Sequence, residues 1–438
     1  MDKVLRPCPG RSVDWGSTGN VYSEGDNLDA LKLLRETYAG RVKVIYIDSP
    51  YNTGHDFVYR DDFSRPASEY AAESRDFSED GGRLVENLSS NGRFHSDWCS
   101  MIYPRLLLAR DFLTEDGAIF IFIDDNEATD LIKIMDEIFG VTNRIAIICH
   151  KSRASVSNDK VISSNHNFVL FYAKNASVVE SQRRSIGVDP DLDKSNFPYK
   201  DSNGDYRLVP VDGPGNSEKG NPYYEFQGVA GYWRFSKAKM QQMYDDNLVV
   251  KKGSSLYQKY YLSQAEESRR TVTTWWDDAG LASSATSSLN KLMGGYCFSN
   301  PKPVTLITRI MQMMTAMDED ALVMDFFSGS ATTAEAVFET NRHYGGNRRF
   351  ILVQLPETDG MTDDAKQQGF DTLCDVAEER VRRAGRKVLE KCVSMRGMAW
   401  SRRMWVSACS AWIRRTCVTC GVPRARWTRR LCSGTWTR

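Results

Sequence analysis

The amino-acid sequence predicts an α/β protein with a largely parallel sheet whose two faces are covered by helices. Three observations lead to this prediction. Apolar strand-like runs alternate with amphipathic helix-like segments over residues 20–172, which is typical of parallel sheets. The alternation stops between residues 174 and 290, where aromatic residues, Gly and Ser are frequent. It resumes at residue 304, so one α/β domain is predicted to be divided by an inserted module.

The first predicted elements are a helix and a strand. Asp26 and Asn27 can cap the N-terminus of the helix, and Gly40 can end it. The apolar face of this helix contains three leucines at helical spacing, Leu28, Leu31 and Leu34. A strand over residues 42–47 follows and ends at an acidic residue.

The next predicted elements repeat this order. A helix over residues 96–113, bent or begun at Pro104, leads through Asp116 and Gly117 into a strand over residues 118–123. The other predicted elements are a helix at 126–139, strands at 145–149 and 168–172, a helix at 304–317, a strand at 321–327, a helix at 332–340 and a strand at 349–355.

Composition excludes some classes of protein. The 57 basic and 57 acidic residues give a formal net charge of zero, so the chain is not a globally basic nucleic-acid binder. No apolar run approaches the ~20 residues that span a bilayer, and the N-terminus lacks the apolar core of a signal peptide. The ten cysteines show no regular framework. We therefore expect a cytoplasmic protein with no membrane partner.

The tail over residues 390–438 has a different character. Residues 391–438 contain eleven basic residues and no acidic one, together with many Trp and Cys. A basic DNA-binding tail would have this charge. The abrupt change in composition fits translation of a shifted reading frame better.

Two predicted strand ends carry distinctive chemistry, and ligands bind at the carboxyl ends of strands in such sheets. The first is MDFFSGSATTAEA at residues 324–336, in which a strand, a tight turn and a helix follow one another. Gly329 lets a ligand approach the backbone, and the lack of a Gly-Lys-Ser/Thr triplet argues against a P-loop. Taken alone, the turn is explained equally well by close strand-helix packing.

The second strand end is VIYIDSPYNTG at residues 44–54. The Asp48 carboxylate and the Ser49 backbone carbonyl can accept hydrogen bonds from an amino group, and Tyr51 can stack on a planar ring. This set suits the exocyclic amine of adenine, whose lone pair is delocalised into the ring. Acceptors that favour a pyramidal nitrogen help it to attack an electrophilic methyl group. On its own, Asp-x-Pro-Tyr is more often a plain turn.

Together and in this order, the two motifs are far more specific. The chain resembles the β-class, amino-directed DNA methyltransferases, which carry a catalytic Asp-Pro-Pro-Tyr motif before a Phe-x-Gly-x-Gly motif. The resemblance extends over residues 15–389 and includes EGDNLDALKLL at residues 24–34 and FSNPKPVTLI at residues 298–307. The chain looks like the modification (Mod) subunit of a Type III restriction-modification system or a close solitary relative.

The resemblance implies a fold and a division into domains. The implied fold is the Rossmann-like class I S-adenosylmethionine-dependent methyltransferase fold, circularly permuted, with an inserted target-recognition module. Residues 15–174 would form the catalytic half of the methyltransferase domain, and residues 291–389 the cofactor-binding half. Residues 175–290 would form the target-recognition module.

The resemblance also implies roles for individual residues. Asp48 and the Ser49 carbonyl would hold the N6 amine, and Tyr51 would stack on the flipped adenine. Pro50 completes the catalytic motif. The residues implied to bind S-adenosylmethionine are Asp26, Lys302, Asp325, Phe327, Gly329, Ser330, Thr332 and Gln354. Gln354 stands where the family usually has an acid for the ribose hydroxyls, with Glu357 just beyond it. Asp26 is explained equally well as a helix cap.

Two residues depart from the family motifs. Ser49 replaces the first Pro of the catalytic motif and retains the main-chain carbonyl, but it loses the fixed φ of proline, so a looser loop is expected. Ala331 replaces the last Gly of the cofactor motif. It is expected to be tolerated because its backbone would already be entering the helix, which Ala favours.

The implied function is transfer of a methyl group from S-adenosylmethionine to N6 of an adenine flipped out of duplex DNA at a specific sequence. The implied partners are double-stranded DNA, a restriction (Res) subunit and a second copy of the chain. The alternative is a catalytically impaired, sequence-specific DNA-binding relative. Methylation of cytosine N4 or of protein is disfavoured, because those relatives typically use Ser or Asn where this chain has Asp48.

No metal site is predicted, because the five histidines are dispersed and Cys417-x-x-Cys420 lacks a second cysteine pair. Aromatic and basic residues are interleaved over residues 175–290. They suit phosphate contacts and base stacking, although each one is explained equally well as ordinary surface or part of a small core.

Overall fold

The structure is a computed structural model that describes residues 3–13, 15–53, 57–59, 84–86, 94–156, 161–213, 220–394 and 416–423. The chain divides into two compact units. The first consists of Met1–Ile186 and Val272–Arg438, and the second of Gly187–Thr271. The second unit is shorter at both ends than the predicted module of residues 175–290.

The described secondary structure alternates between helix and strand in the first unit and consists mainly of short strands in the second. The strands are β1 (Lys3–Pro7), β2 (Asn20–Glu24), β3 (Val42–Asp48), β4 (Phe57–Tyr59), β5 (Leu84–Glu86), β6 (Leu113–Ile123), β7 (Arg144–Lys151), β8 (His166–Ala173), β9 (Tyr199–Asp201), β10 (Gly204–Pro210), β11 (Tyr223–Phe226), β12 (Val229–Tyr232), β13 (Val249–Lys252), β14 (Ser255–Tyr261), β15 (Trp275–Trp276), β16 (Leu322–Asp325), β17 (Arg349–Gln354) and β18 (Thr416–Pro423). The α-helices are α1 (Asn27–Tyr38), α2 (Phe94–Phe112), α3 (Ala128–Phe139), α4 (Ala176–Ser181), α5 (Lys237–Asp245), α6 (Leu262–Glu267), α7 (Ala282–Met293), α8 (Val304–Thr315), α9 (Thr332–Tyr344), α10 (Asp363–Gln367) and α11 (Leu373–Ser394).

A ten-stranded sheet forms the centre of the first unit, in the order β1-β18-β2-β17-β16-β3-β6-β8-β7-β15. The run from β2 to β6 is parallel throughout. β8 is antiparallel to both of its neighbours, β6 and β7. The predicted α/β class with a mostly parallel sheet is therefore confirmed. The circular permutation stays a prediction.

β16 and β3 lie side by side, although the second unit separates them in the chain. From β16 the chain continues to β17 on one side of this pair, and from β3 it continues to β6 on the other. The connections leave the two strands in opposite directions. In an open α/β sheet, such a point leaves a crevice outside the carboxyl ends of the strands.

The predicted helices and strands of the first unit are confirmed, with two differences. Helix α2 continues through Pro104 and does not begin there. Strand β6 begins at Leu113, before the predicted turn. The reason is that its register against β3 shifts between Val42 and Val44, whose partners are Leu113 and Ala118, so the turn becomes an irregularity within the strand.

The core of the first unit joins helices to alternate residues of the strands. The leucines predicted on the apolar face of α1 are buried. Leu31 and Leu34 pack in one cluster with α2, α3 and strand residues such as Ile45 and Ile47. Residues two apart point to the same face of a pleated strand. This burial fixes the register of β3 and so the position of the residue at its end.

The second unit has a sheet and a core of its own. Strands β13, β14, β10 and β9 form an antiparallel sheet in that order, and β11 pairs with β12 in a hairpin. Its buried apolar residues are Val211, Phe226, Trp233, Met240, Met243, Val249 and Leu256. The role of this unit as a target-recognition module stays a prediction.

Most of the atypical tail, residues 395–415 and 424–438, lies outside the described residues. Its interpretation as a shifted reading frame therefore stays a prediction. Across the ranges that the structure describes, no helix combines the length and the apolar character needed to cross a membrane.

Candidate active site

A pocket of about 410 Å³ lies outside the carboxyl ends of β3 and β16. Eleven of the twelve predicted site residues line it. They are Asp48, Ser49, Pro50, Tyr51, Lys302, Asp325, Phe327, Gly329, Ser330, Thr332 and Gln354. Residues that are far apart in the chain meet here because the two strands are parallel neighbours, whose carboxyl ends share one edge of the sheet.

Asp26 is the predicted site residue that does not line the pocket. Its carboxylate caps α1 by accepting a hydrogen bond from the Asp29 backbone N–H at 2.9 Å, and it lies 3.5 Å from Arg105 Nη2. The explanation of Asp26 as a helix cap is confirmed, and a cofactor contact has no support. Asn27 links this helix start to the site instead, since its Nδ2 donates to the Phe326 carbonyl at 2.9 Å.

Asp48 ends β3 with both carboxylate oxygens paired. The Tyr51 hydroxyl donates to Oδ1 at 2.7 Å, and Lys302 Nζ lies 2.6 Å from Oδ2. Burial raises the pKa of Tyr51 well above its ordinary value, and the neighbouring Asp48 carboxylate raises it further. The phenol is therefore protonated at neutral pH and serves as a hydrogen-bond donor to Asp48.

Two aromatic rings stand beside this carboxylate. The rings of Tyr51 and Phe122 are stacked, with centroids 6.3 Å apart and planes inclined by 27°. The Lys302 ammonium lies 5.0 Å from the Tyr51 centroid and 4.9 Å from the Phe122 centroid. The sequence analysis missed Phe122, because an apolar strand residue carries no motif. Its position follows only from its pairing with Asp48 across β3 and β6.

The loop after Asp48 is restrained by a buried tryptophan. Ser49 has 1% of its surface exposed, and its hydroxyl has no hydrogen-bond partner among the described residues. The Pro50 carbonyl accepts a hydrogen bond from Trp98 Nε1 at 2.8 Å, and Trp98 is completely buried in α2. This bond restrains the loop at the place where the loss of a proline was expected to loosen it.

A buried carboxylate supports the end of the same loop. Asn52 has a φ of 59°, in the left-handed region that Asn adopts more readily than most residues. Its Nδ2 donates to Glu127 Oε1, which also lies 2.6 Å from His95 Nδ1. Glu127 is fully buried and immediately precedes α3. Sequence reasoning missed this group, because its three members are distant in the chain and form no motif.

His95 lies beside two acidic residues that are distant from it in the sequence. Possible ligand atoms of His95, Glu127 and Asp130 lie within 4.8 Å of one another. Glu127 Oε1 is already engaged by Asn52 and His95. The group is therefore assigned to support of the loop, and the predicted absence of a metal stays a prediction.

The turn after β16 is held by Asp325. Its Oδ1 accepts the Phe327 backbone N–H at 3.1 Å, and its Oδ2 accepts the Thr333 hydroxyl at 2.5 Å. Burial raises the pKa of Asp325 to about 7, although these two hydrogen bonds act in the opposite direction. The carboxyl group thus fixes the start of the turn while it lines the pocket.

Ala331 does not have the conformation expected for it. Its φ of 62° and ψ of 40° are left-handed, and α9 begins one residue later. Its N–H donates to the Ser328 carbonyl at 2.7 Å, which closes a tight turn. Glycine adopts this conformation at the lowest cost. The expectation that Ala331 has already entered the helix is therefore wrong, and the Ala in place of the family's Gly is accommodated with backbone strain.

Both polar atoms of the Gln354 side-chain amide form hydrogen bonds within the protein. Its Oε1 accepts the Gly329 N–H at 2.7 Å. Its Nε2 donates to the Leu355 carbonyl at 3.3 Å and to Glu357 Oε1 at 2.7 Å. Glu357 also lines the pocket, and burial raises its pKa to about 7. Gln354 thus connects the glycine turn to Glu357, which presents a carboxylate at this end of β17.

The hydroxyls of Ser330 and Thr332 share a buried partner. Arg380 Nη1 donates to them at 2.8 and 2.7 Å, respectively. Arg380 Nη2 lies 3.1 Å from Glu335 Oε2, and the arginine is 2% exposed. Sequence reasoning missed this role, because nothing in the basic pattern of α11 distinguishes a buried arginine from its exposed neighbours.

The wall of the pocket is acidic. Asp48, Asp325, Glu357 and Asp359 line it, and Lys302 is the one basic side chain in its described wall. The pocket combines an amine acceptor, aromatic rings and an open glycine turn in an environment that favours a positively charged ligand.

Comparison with known proteins gives consistent matches. The family model described as DNA methylase matches residues 42–353. The Mod subunit of the Type III restriction-modification enzyme StyLTI of Salmonella typhimurium is 34% identical over 386 residues, covering 84% of this chain and 57% of that protein. The EcoPI Mod subunit of Escherichia phage P1 is 31% identical over 410 residues, covering 84% of this chain and 62% of that protein.

A Type II enzyme matches over most of its length. The methyltransferase M.KpnI of Klebsiella pneumoniae is 28% identical over 396 residues, covering 83% of this chain and 87% of that protein. The predicted resemblance to Type III modification subunits is confirmed by the two matches above. The chain spans less than two thirds of the length of these Type III relatives.

Proposed function

The chain belongs to the DNA methylase family, and on this premise we propose that it is a site-specific DNA adenine methyltransferase. It would transfer a methyl group from S-adenosylmethionine to N6 of an adenine in duplex DNA. One observation carries the proposal. A single pocket brings Asp48, Ser49 and Tyr51 together with the glycine turn around Gly329. An acceptor for the amine and a place for the methyl donor can thus share one space.

The residues of the pocket fit S-adenosylmethionine, which supplies an electrophilic methyl group on a positively charged sulfur when it is bound. The acidic wall favours a cation, because a nearby positive charge stabilises the ionised forms of Asp325 and Glu357, whose pKa burial raises to about 7. At Gly329 the backbone is open to close approach, because a Cβ there would meet nothing nearer than Phe298 Cζ at 3.9 Å. The Glu357 carboxylate can accept hydrogen bonds from the ribose hydroxyls, and Gln354 holds it in place.

Asp48 and the Ser49 carbonyl would act on the amine of the target base. By accepting hydrogen bonds from its two N–H groups, these oxygens favour a lone pair localised on nitrogen over one delocalised into the ring. The nitrogen can then attack the methyl carbon. The nitrogen would form its bond to the carbon while the electron pair of the carbon–sulfur bond stays with the sulfur, and it would then release one proton to solvent. The rings of Tyr51 and Phe122 can hold the base by stacking.

Duplex DNA is the proposed substrate, so the target base must leave the helix to reach Asp48. The second unit, Gly187–Thr271, is the proposed target-recognition module. Its exposed Lys251 and Lys252 at the end of β13 are suited to phosphate contacts. A restriction (Res) subunit and a second copy of the chain are the proposed protein partners. The similarity to two Mod subunits supports the first of these.

Single-molecule sequencing of DNA from methylation-deficient bacterial cells that express the protein tests this function. We expect N6-methyladenine at the copies of one short sequence motif with the wild-type protein and with Asp111→Ala. Asp111 is a matched control, because it forms a surface ion pair with Arg35. Asp48→Ala should leave no modified motif.

Two results would contradict the proposal. N4-methylcytosine in place of N6-methyladenine would overturn the assignment of the target base. A folded wild-type protein that modifies no motif would overturn the proposed activity and favour the impaired DNA-binding relative. The site gives that alternative no support, because Asp48 and Ser49 both line the pocket.

A further inference from the structure

The ammonium of Lys302 stands where the proposed target amine would have to bind. It lies 2.6 Å from Asp48 Oδ2 and within 5.0 Å of the centroids of both the Tyr51 and the Phe122 ring. One carboxylate oxygen and two ring faces bind a cation favourably. They are also what the amine and the flat ring of adenine require. The Tyr51 hydroxyl already donates to Asp48 Oδ1, so a base amine that approaches Oδ2 between these rings meets the ammonium there.

We infer that Lys302 is a displaceable cation that occupies the target-amine position until a base enters the pocket. The inference rests on the proposed function and gives Lys302 a role different from that of a cofactor ligand. It satisfies the Asp48 carboxylate before substrate arrives. The exchange requires only that one set of hydrogen bonds to Asp48 replace another.

The segment around Lys302 is built so that the side chain can move while the backbone stays in place. Pro301 and Pro303 flank it and are both buried, and α8 begins at Val304. Each proline fixes its own φ. The four-carbon stem of a lysine, by contrast, has freely rotating bonds. Displacement of the ammonium therefore needs only side-chain rotation.

Lys302 also changes the charge that a bound cofactor meets. S-Adenosylmethionine has a positively charged sulfur, whereas its product S-adenosylhomocysteine is neutral there. In a pocket of about 410 Å³ two positive charges lie within about 10 Å of each other and repel. A lysine that occupies the amine position should weaken binding of S-adenosylmethionine and leave binding of S-adenosylhomocysteine unchanged. A lysine that binds the cofactor's carboxylate would strengthen both ligands equally, because both carry that group.

The first test is titration of purified protein with each of the two ligands. In Lys302→Met we expect affinity for S-adenosylmethionine to rise about three- to tenfold relative to that for S-adenosylhomocysteine. Lys133→Met is the control, because Lys133 is an exposed lysine of α3 that pairs with Asp130 outside the pocket. The ratio of its affinities for the two ligands should match that of the wild type. Equal weakening of both ligands in Lys302→Met would overturn the inference.

The second test follows entry of the base. A duplex that contains the motif found by sequencing keeps adenine at the target position and carries 2-aminopurine next to it, where the emission rises when the target base leaves the stack. Without cofactor, Lys302→Met should give at least about twofold more emission than the wild type, because no ammonium needs to be displaced. Lys302→Arg retains the charge and should resemble the wild type. Equal emission from Lys302→Met and the wild type would overturn the inference.

Failure of the inference is distinguishable from failure of the proposed function. A wild-type protein that methylates DNA, with a Lys302→Met variant whose ligand ratio and emission are unchanged, contradicts only the role of Lys302. A wild-type protein that binds neither ligand and methylates nothing contradicts both. If Lys302→Met does not fold, Lys302→Gln is a second neutral variant that is read by the same ratio.

Discussion

Two serines of the pocket differ in what their hydroxyls do. The Ser49 hydroxyl is buried without a partner among the described residues, whereas the Ser330 hydroxyl accepts a hydrogen bond from the buried Arg380. A buried polar group without a hydrogen bond destabilises the folded state, and so does a buried donor that loses its acceptor.

Opposite effects on stability are therefore expected from the same substitution at the two serines. Ser49→Ala should raise the free energy of unfolding by about 1 kcal/mol, and Ser330→Ala should lower it by about 1–3 kcal/mol. Urea unfolding of both variants measures these values. Ser49→Ala should also retain methylation, since the main-chain carbonyl remains. Equal destabilisation by the two substitutions would contradict the described contacts.

Asp325 should make stability depend on pH. Burial raises its pKa from 3.8 to about 7, so the folded state binds this proton more tightly than the unfolded chain does. This contribution to stability is complete below the unfolded pKa and is lost as pH rises through the folded pKa. The loss amounts to at most about 4 kcal/mol.

The amide that replaces the carboxyl group in Asp325→Asn does not titrate in this pH range. The free energy of unfolding of the variant, minus that of the wild type, should therefore increase between about pH 4.5 and pH 8. Urea unfolding at the two pH values provides the comparison, and the other titrating groups are common to both proteins. A difference that stays constant with pH would show that Asp325 does not titrate in this range.

Among the secondary-structure elements, α2 and the residue before α3 hold the loop after β3 in place through hydrogen bonds. Trp98 binds the Pro50 carbonyl, and Glu127 binds the Asn52 side chain. Both contacts come from parts of the chain that show no catalytic motif. The position of the Asp48 carboxylate thus depends on how two helices pack beside β3.

Asn52→Gly tests this support, since glycine adopts a φ of 59° without strain, while the side-chain bonds to Glu127 and to the Phe94 carbonyl are lost. The rate of methyl transfer at saturating cofactor should fall about 10- to 100-fold, because small displacements of reacting groups are costly. Affinity for S-adenosylmethionine should remain near that of the wild type. Glu127→Gln retains an oxygen acceptor for Asn52 and should lose less activity. A single-turnover rate unchanged in Asn52→Gly would exclude this role.

The elements themselves could be predicted from the sequence, but their arrangement could not. The leucines of α1 and the continuous apolar run of β6 identify a helix and a strand by their own spacing. The pairing of β16 with β3 joins parts of the chain that the second unit separates. No local pattern encodes such a contact. The left-handed Ala331 was also mispredicted, because helical propensity says nothing about the residue that closes the preceding turn.

The same distinction applies to the site. The two motifs supplied nine of the eleven predicted residues that line the pocket. The contacts of Lys302 with Asp48 and Phe122 could not be predicted, because they depend on three separate elements meeting at one edge of the sheet. The sequence therefore identified the groups that can perform the chemistry, while the fold shows which of them are already paired.

At the scale of the whole molecule, the proposal divides the work between two units. The first contains the pocket, and the second, with its own core, is proposed to contact DNA. If the second unit contacts DNA, replacing both Lys251 and Lys252 by Met should make the affinity for DNA less dependent on salt concentration. The slope of log affinity against log salt should change by about 1.8, at about 0.9 per phosphate contact.

Lys133→Met is the matched control for this measurement, because it removes a charge from the first unit. Fluorescence titration of duplex DNA over a range of salt concentrations measures each slope. If the double variant and the wild type gave the same slope, these two lysines would not contact phosphate.

Asp48 is proposed to receive an adenine amine in the same pocket that holds the methyl donor. Incubation of the purified protein with S-adenosylmethionine and unmethylated DNA, followed by mass spectrometry of the nucleosides, tests this role of Asp48. The wild type should produce N6-methyldeoxyadenosine. Asp48→Ala should produce none while still binding S-adenosylmethionine. Formation of N4-methyldeoxycytidine, or an equal yield of product from Asp48→Ala, would contradict the claim.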